Sequence, residues 1–160
     1  MLTEHGEEAL SILISQLKPG SVVVEVNRSG WQVTLAIASA IKGSGKDMDF
    51  LSISDEVDQE LYARLGNEGL DDYVRLIADD PENACDEFGR ESVDAAFIHS
   101  GPQNVMIRNI WSWSEKMAIN ALLCGNWDER SRLAVMKETR GAYSRFGFDQ
   151  SLWKIPLYNR

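Results

Sequence analysis

The sequence predicts an α/β fold of three layers, a mainly parallel sheet of about six strands with helices on both faces. Three observations predict it. Short apolar runs alternate with segments of helical periodicity along almost the whole chain, and strands that alternate with helices imply parallel pairing through crossover connections. Pro, Gly and Asp punctuate the boundaries between the runs. The first run, "VVVEV", ends in an irregular turn ahead of a strongly apolar helix, the outline of a nucleotide-binding corner. With 160 residues, 44% of them hydrophobic, the chain can bury one core, and a single domain over residues 1–160 is expected.

The elements follow in order. Ala9, Leu10, Leu13, Ile14 and Leu17 recur at helical spacing, and "KPG" ends that helix. Ser21 to Val26 is the first strand, and a helix is expected from Trp31 to Lys42. The "GSGKD" after it resembles the end of a phosphate-binding loop. It lacks the first glycine of GxxxxGK[ST] and precedes a strand where such a loop follows one, so it reads as a turn. "MDFLSIS" (Met48 to Ser54) is the second strand, Val57 to Leu65 a helix, and "DYVRLIA" the third strand. A helix from Pro81 to Phe88, with Pro in its first turn, leads to the strand "VDAAFI". Then come a helix from Gln103 to Met117, the strand "AINALLC", a helix from Asp128 to Tyr143 and the strand "SLWKIPLY". Val22 to Val26 is expected at the centre of the sheet, and Leu152 to Leu157 at or near an edge, where a strand can run antiparallel. On the helix after the fourth strand, Trp111 reads as a core residue and Trp113 as an edge anchor.

Charge and composition exclude several classes of function. A formal charge of −9 disfavours a grip on nucleic acid, since phosphate neutralisation needs clustered Lys and Arg. Cys85 and Cys124 are too far apart for a CxxC site, and "MLTEHGEEALSILISQL" is acidic where a signal peptide carries a basic leader. No apolar stretch approaches the roughly 20 residues that cross a bilayer. A cytoplasmic protein with reduced thiols and no nucleic-acid or membrane partner is expected. No His, Cys and acid cluster has metal-ligand spacing, so no metal is expected, and no Ser/His/Asp order suggests a hydrolase.

In an open α/β sheet the ligand lies beyond the carboxyl ends of the strands, near the switch in strand order. Four clusters follow strands: Glu25 to Trp31; Ser54, Asp55 and Glu56; His99 to Pro102; and Gly125 to Glu129. They are expected to converge in space.

Three of these stretches carry a resemblance. "EVNRSGWQVTLAIA" is similar to the motif E-[IV]-G-x-S-x-G-x-[ST]-T and keeps Glu25, Ser29 and Thr34. "AAFIHSGPQNVMIRNIWSW" is similar to F-I-D-G-D-H-S-Y followed by a helix, and "INALLCGNWDE" to a fifth strand that ends in G-G-x-L-x-G-H-D. Over nearly its whole length the chain resembles the class I S-adenosylmethionine-dependent methyltransferases, most nearly those that act on small molecules. The resemblance implies a Rossmann-like domain and an S-adenosylmethionine site built from Glu25, Asn27, Ser29, Gly30 and Asp55. It further implies methyl transfer to a small-molecule acceptor, with His99 or Asp128 removing a proton.

The sequence departs from the family at the chemistry. Asn27 and Trp31 stand on two glycine positions; Asn visits the left-handed region readily, whereas Trp31 adds a large ring. Ser54 holds the place of the ribose-binding acid with Asp55 one step later, "HSGP" replaces D-G-D-H, and Asn126 replaces a later His. Each candidate therefore has two readings. Glu25 accepts from a ligand or from donors of its own turn. Asp55 holds a ribose or belongs to a solvated helix start with Ser54 as its N-cap. Trp31 stacks on a ligand or, as expected here, fills the former cofactor pocket. The chain is either a methyltransferase for a small molecule or a non-catalytic descendant that has lost the cofactor and binds a protein partner or another ligand.

Overall fold

A computed structural model of the chain describes residues 4–138, 144–145 and 153–156. Strand β1 (Val22–Val26) lies between β2 (Asp49–Ser54) and β4 (Val93–Ile98) and pairs in parallel with both. Strands β3 (Arg75–Ala78) and β5 (Met117–Gly125) extend the parallel sheet outward. Beyond β5, β7 (Trp153–Pro156) pairs antiparallel with β5 and with the two-residue β6 (Ser144–Arg145). The order is β3-β2-β1-β4-β5-β7-β6, seven strands among the described residues where about six were expected, and the addition is the short β6. The final strand thus lies next to the edge and runs antiparallel, as expected.

The residue pattern explains the layers. β1 and β4 are flanked by strands and covered by helices, so "VVVEV" and "VDAAFI" read as almost unbroken apolar runs. Alternate residues point to opposite faces. Val23, Phe50 and Phe97 pack with Leu10, Leu13 and Ile14 of α1 (Glu4–Ser15), Ile37 and Ile41 of α2 (Gln32–Ser44), and Leu61 and Leu65 of α3 (Gln59–Asn67). Val24, Val26 and Ile53 face the other way, toward Ala84 of α4 (Pro81–Asp86) and Met106, Ile110 and Trp113 of α5 (Gln103–Ser114). Each buried Val, Leu, Ile, Phe or Met among them contributes about 1.5–3 kcal/mol. Helix α6 (Glu129–Glu138) follows β5 and packs on α5. Among the described residues no helix is long and apolar enough to cross a membrane.

Of "GSGKD", Gly43 and Ser44 still belong to α2, two residues past the expected end at Lys42, and the turn begins at Gly45. Gly45, at φ +67°, ends α2, and Lys46 Nζ donates to the carbonyls of Ser15 and Leu17, satisfying the exposed end of α1. Other boundaries correct the expectations. The third strand starts only at Arg75, because Asp71–Tyr73 form a turn of 3-10 helix. Helix α5 stops at Ser114, and Met117 already belongs to β5. Helix α3 starts at Gln59 and is capped by Asp58, whose carboxylate accepts from the Leu61 N–H at 3.0 Å. Ser54 is therefore not the cap; it is buried at the end of β2 and accepts from the Glu56 N–H. The two tryptophans of α5 are also reversed. Met106, Ile110 and Trp113 form the inward stripe, so Trp113 is the core residue, edge-on to Phe88, while Trp111 is 56% exposed. Residues 139–143 of the expected sixth helix, and 151–152 and 157–158 of the last strand, lie outside the described residues.

Candidate functional site

The strand order reverses at β1. The chain runs outward through β2 and β3 and then returns to place β4 on the other side of β1. The crevice expected of such a sheet therefore lies over the carboxyl ends of β1 and β4, where Glu25 and His99 stand. Strand alternation puts Glu25 on the same face as Val23, and Ser52 on the same face as Phe50, both under α2.

There the four side chains meet. Thr34 Oγ1 and Ser52 Oγ each donate to Glu25 Oε1 at 2.6 Å, and His99 Nε2 lies 2.6 Å from Glu25 Oε2. Glu25, Thr34 and Ser52 are 0% exposed and His99 2%. Burial alone would push the Glu25 carboxyl up. The His99 hydrogen bond and charge, with the Ser52 and Thr34 hydroxyls, outweigh it and hold the carboxyl below its ordinary value of 4.5. An ionised carboxylate only accepts, so the proton of the pair sits on His99 Nε2. Both carboxylate oxygens are thus committed to internal donors.

The loops around this cluster are tied to one another. Arg28 reaches across from the β1 loop: its guanidinium donates to Ser52 Oγ at 2.9 Å and to the carbonyls of Ser52 and Glu56 at 3.2 Å each. The His99 N–H donates to the Val26 carbonyl, and the Ser100 N–H to Asn126 Oδ1. Trp127, 1% exposed, closes the end of β4 by donating from Nε1 to the Ile98 carbonyl at 2.9 Å. Gly125 makes room for that ring, since a Cβ there would lie 2.3 Å from it.

Of the residues singled out in the sequence, the structure brings Glu25 and His99 into direct contact. Asn27 adopts φ +60°, the left-handed conformation that suits a glycine position, and Gly30 adopts φ +73°. Ser29 and Asp55 are exposed and outside the buried cluster. Asp128 is exposed and accepts from the Ser131 N–H at 2.7 Å as the cap of α6; bonds from Ser131 hold its carboxyl low. Trp31 is half-buried against the α1–α2–α3 core, with the Arg64 guanidinium stacked 3.7 Å from its ring centre and held by Glu60. Arg28 and Trp127 lie within the strand-end clusters read from the sequence but were not singled out there, and Ser52, outside those clusters, was missed; its signal is its place two residues after Phe50 on the inward face of a strand.

This arrangement does not fit S-adenosylmethionine. The acid at the first motif has no free oxygen, and a guanidinium crosses to the end of β2 where the family carries a second acid. Among the described residues no group of three or more His, Cys, Asp and Glu could hold a metal.

No family model matches the chain, and no curated protein matches it in sequence. Solved structures do match in fold. A methyltransferase from Geobacter sulfurreducens superposes with a TM-score of 0.75 at 18% identity, over 99% of this chain and 81% of that one. An rRNA methylase from Streptococcus thermophilus gives 0.67 at 16% identity, over 99% of both chains. A SAM-dependent O-methyltransferase from Thermotoga maritima gives 0.69 at 13% identity, over 100% of this chain and 68% of that one. The chain has the fold of the class I S-adenosylmethionine-dependent methyltransferases.

Proposed function

We propose that this methyltransferase-fold protein acts by binding a partner and not by methyl transfer. One observation carries the reading: both oxygens of the buried Glu25 carboxylate accept from Thr34, Ser52 and His99, all from the chain itself. A ligand amine or hydroxyl that displaced one of these donors would leave a buried donor without its acceptor, at a cost of about 1–3 kcal/mol. The Arg28 guanidinium supports the same reading, because a fixed cation disfavours a nearby sulfonium.

The second reading is methyl transfer to a small-molecule acceptor with S-adenosylmethionine as donor. The left-handed Asn27 and Gly30 favour it, since they keep the glycine-like path of the first-motif turn. Calorimetric titration of the purified protein with S-adenosylmethionine separates the two. The proposal expects no saturable heat at micromolar concentrations. Binding in that range, roughly −8 kcal/mol, overturns it in favour of the enzyme.

A further inference from the structure

Strand β3 ends the sheet on the β2 side, and among the described residues no strand pairs with its outer edge. The direction of its peptide groups is fixed by the ladder. The Asp79 N–H donates to the Ser54 carbonyl at 2.9 Å, and the peptide groups of successive residues in a strand alternate between its two sides. Arg75, Ile77 and Asp79 therefore turn theirs toward β2, and Leu76 and Ala78 turn theirs outward. The strand is also incompletely covered. Arg75 and Ala78 are exposed, while Leu76 and Ile77 each pack on one of the two cores and stay only half-buried.

The side chains select the strand that can be added here. Sheet edges are commonly blunted by short length and by charge, but the charges of β3 have opposite signs at matched distances. Arg75 stands two residues before Ile77 and Asp79 two residues after it, all on one face. In an antiparallel pair of two β3 strands centred on Ile77, Arg75 of one copy meets Asp79 of the other. The same centre sets Leu76 opposite Ala78, the residues whose peptide groups point outward, so the charge register and the hydrogen-bond register coincide. A parallel pair would set Arg75 beside Arg75, and centring on Leu76 would set it against Ile77.

The existing partners leave this contact open. Arg75 lies 3.4 Å from Asp49 of β2, but the two side chains are 64% and 56% exposed, and only Nη2 of the guanidinium is used. Asp79 Oδ1 accepts from the Asp80 N–H at 2.8 Å, and a carboxylate accepts at both oxygens.

We propose that the chain forms a two-fold dimer by antiparallel pairing of β3 with β3 of a second copy, centred on Ile77, with Arg75 of each copy ion-paired to Asp79 of the other. A two-fold axis makes this contact self-complementary and closes it at two copies. The formal charge of −9 on each copy opposes association in general, so the chain meets itself best where it brings a cation to an anion. The dimer involves neither S-adenosylmethionine nor the strand-end cluster, so it and the binding role proposed above stand or fall separately.

Sedimentation equilibrium of the full chain, from about 1 μM to about 300 μM, tests it. A dimer is expected at the upper end. Arg75→Glu turns the symmetric attractions into repulsions and is expected to raise the dissociation constant about tenfold or more, as is Asp79→Arg. The double variant restores opposite charges across the axis, and its dissociation constant is expected to return to within about threefold of the parent's. Ala78→Pro removes an N–H that faces outward and none that bonds β2, so it is expected to abolish the dimer while thermal melting stays close to the parent's. A parent that is monomeric throughout the range overturns the proposal. So does a dimer whose dissociation constant either charge reversal leaves unchanged, or one that the double variant fails to restore.

Discussion

Glu25 is the residue on which the fold and the site both depend. A carboxylate 0% exposed would be very costly alone, and three donors offset the loss of water. Replacing it with Gln removes the charge and sets an amide N–H against donors that need an acceptor, so Glu25→Gln is expected to destabilise the protein by about 3 kcal/mol. The sign of the pH dependence follows from the lowered carboxyl. A group whose folded value is below its unfolded value adds stability that is fully present above the unfolded value, near 4.5, and is lost as pH falls from there through the folded value. Thermal melts between pH 6 and pH 3 should show the gap between the parent and Glu25→Gln narrowing as the pH drops below 4.5. A gap that stays constant would mean that Glu25 is not ionised in the fold. In the sequence Glu25 was legible as a candidate, but its partners were not. Ser52 and His99 are 27 and 74 residues away, and only strand register brings them to it.

Helix α5 shows what elements reveal and conceal. Its apolar residues fixed its existence, yet two tryptophans two positions apart compete for the inward face, and the helical phase of Met106 and Ile110 chooses Trp113. Trp113→Ala is expected to cost about 3–5 kcal/mol through the cavity it leaves under α5. Trp111→Ala is expected to change stability by no more than about 0.5 kcal/mol, since surface changes rarely exceed that. Urea unfolding of both variants checks the phase, and similar losses would refute it. The start of α3 was misplaced for a related reason. Ser54 and Asp58 are both good caps in sequence, and only Asp58 is placed to meet the Leu61 N–H. Ser54 stays in the β2 ladder, where it pairs with Ala78.

At the scale of the whole molecule, the order of strands sets both rigidity and the position of the site. β1 is bonded on both sides and covered on both faces, and β4 shares that protection. Local opening free energy rises with such protection. Amide hydrogen exchange is therefore expected to be slowest in Val23–Val26 and Ala95–Ile98 and at least about tenfold faster in β3, which among the described residues has a neighbouring strand on one side only. Exchange in β3 as slow as in β1 would contradict the edge position. The rigid centre is also where Glu25, His99 and Trp127 close the strand ends, which is why an altered chemical corner sits in so well preserved a fold.

The sequence by itself determined the succession of strands and helices, the parallel centre of the sheet and the glycine-like turn at Asn27, because each depends on local periodicity or on one residue's backbone preference. Strand register and helix packing decided everything that depends on which distant residues meet. They joined His99 to Glu25, spanned the strand ends with Arg28, turned Trp31 toward Arg64 and left Trp111 exposed in a groove. The reason is physical: a buried polar group must find its partner in three dimensions, and residues from different strands become neighbours only once the sheet has assembled.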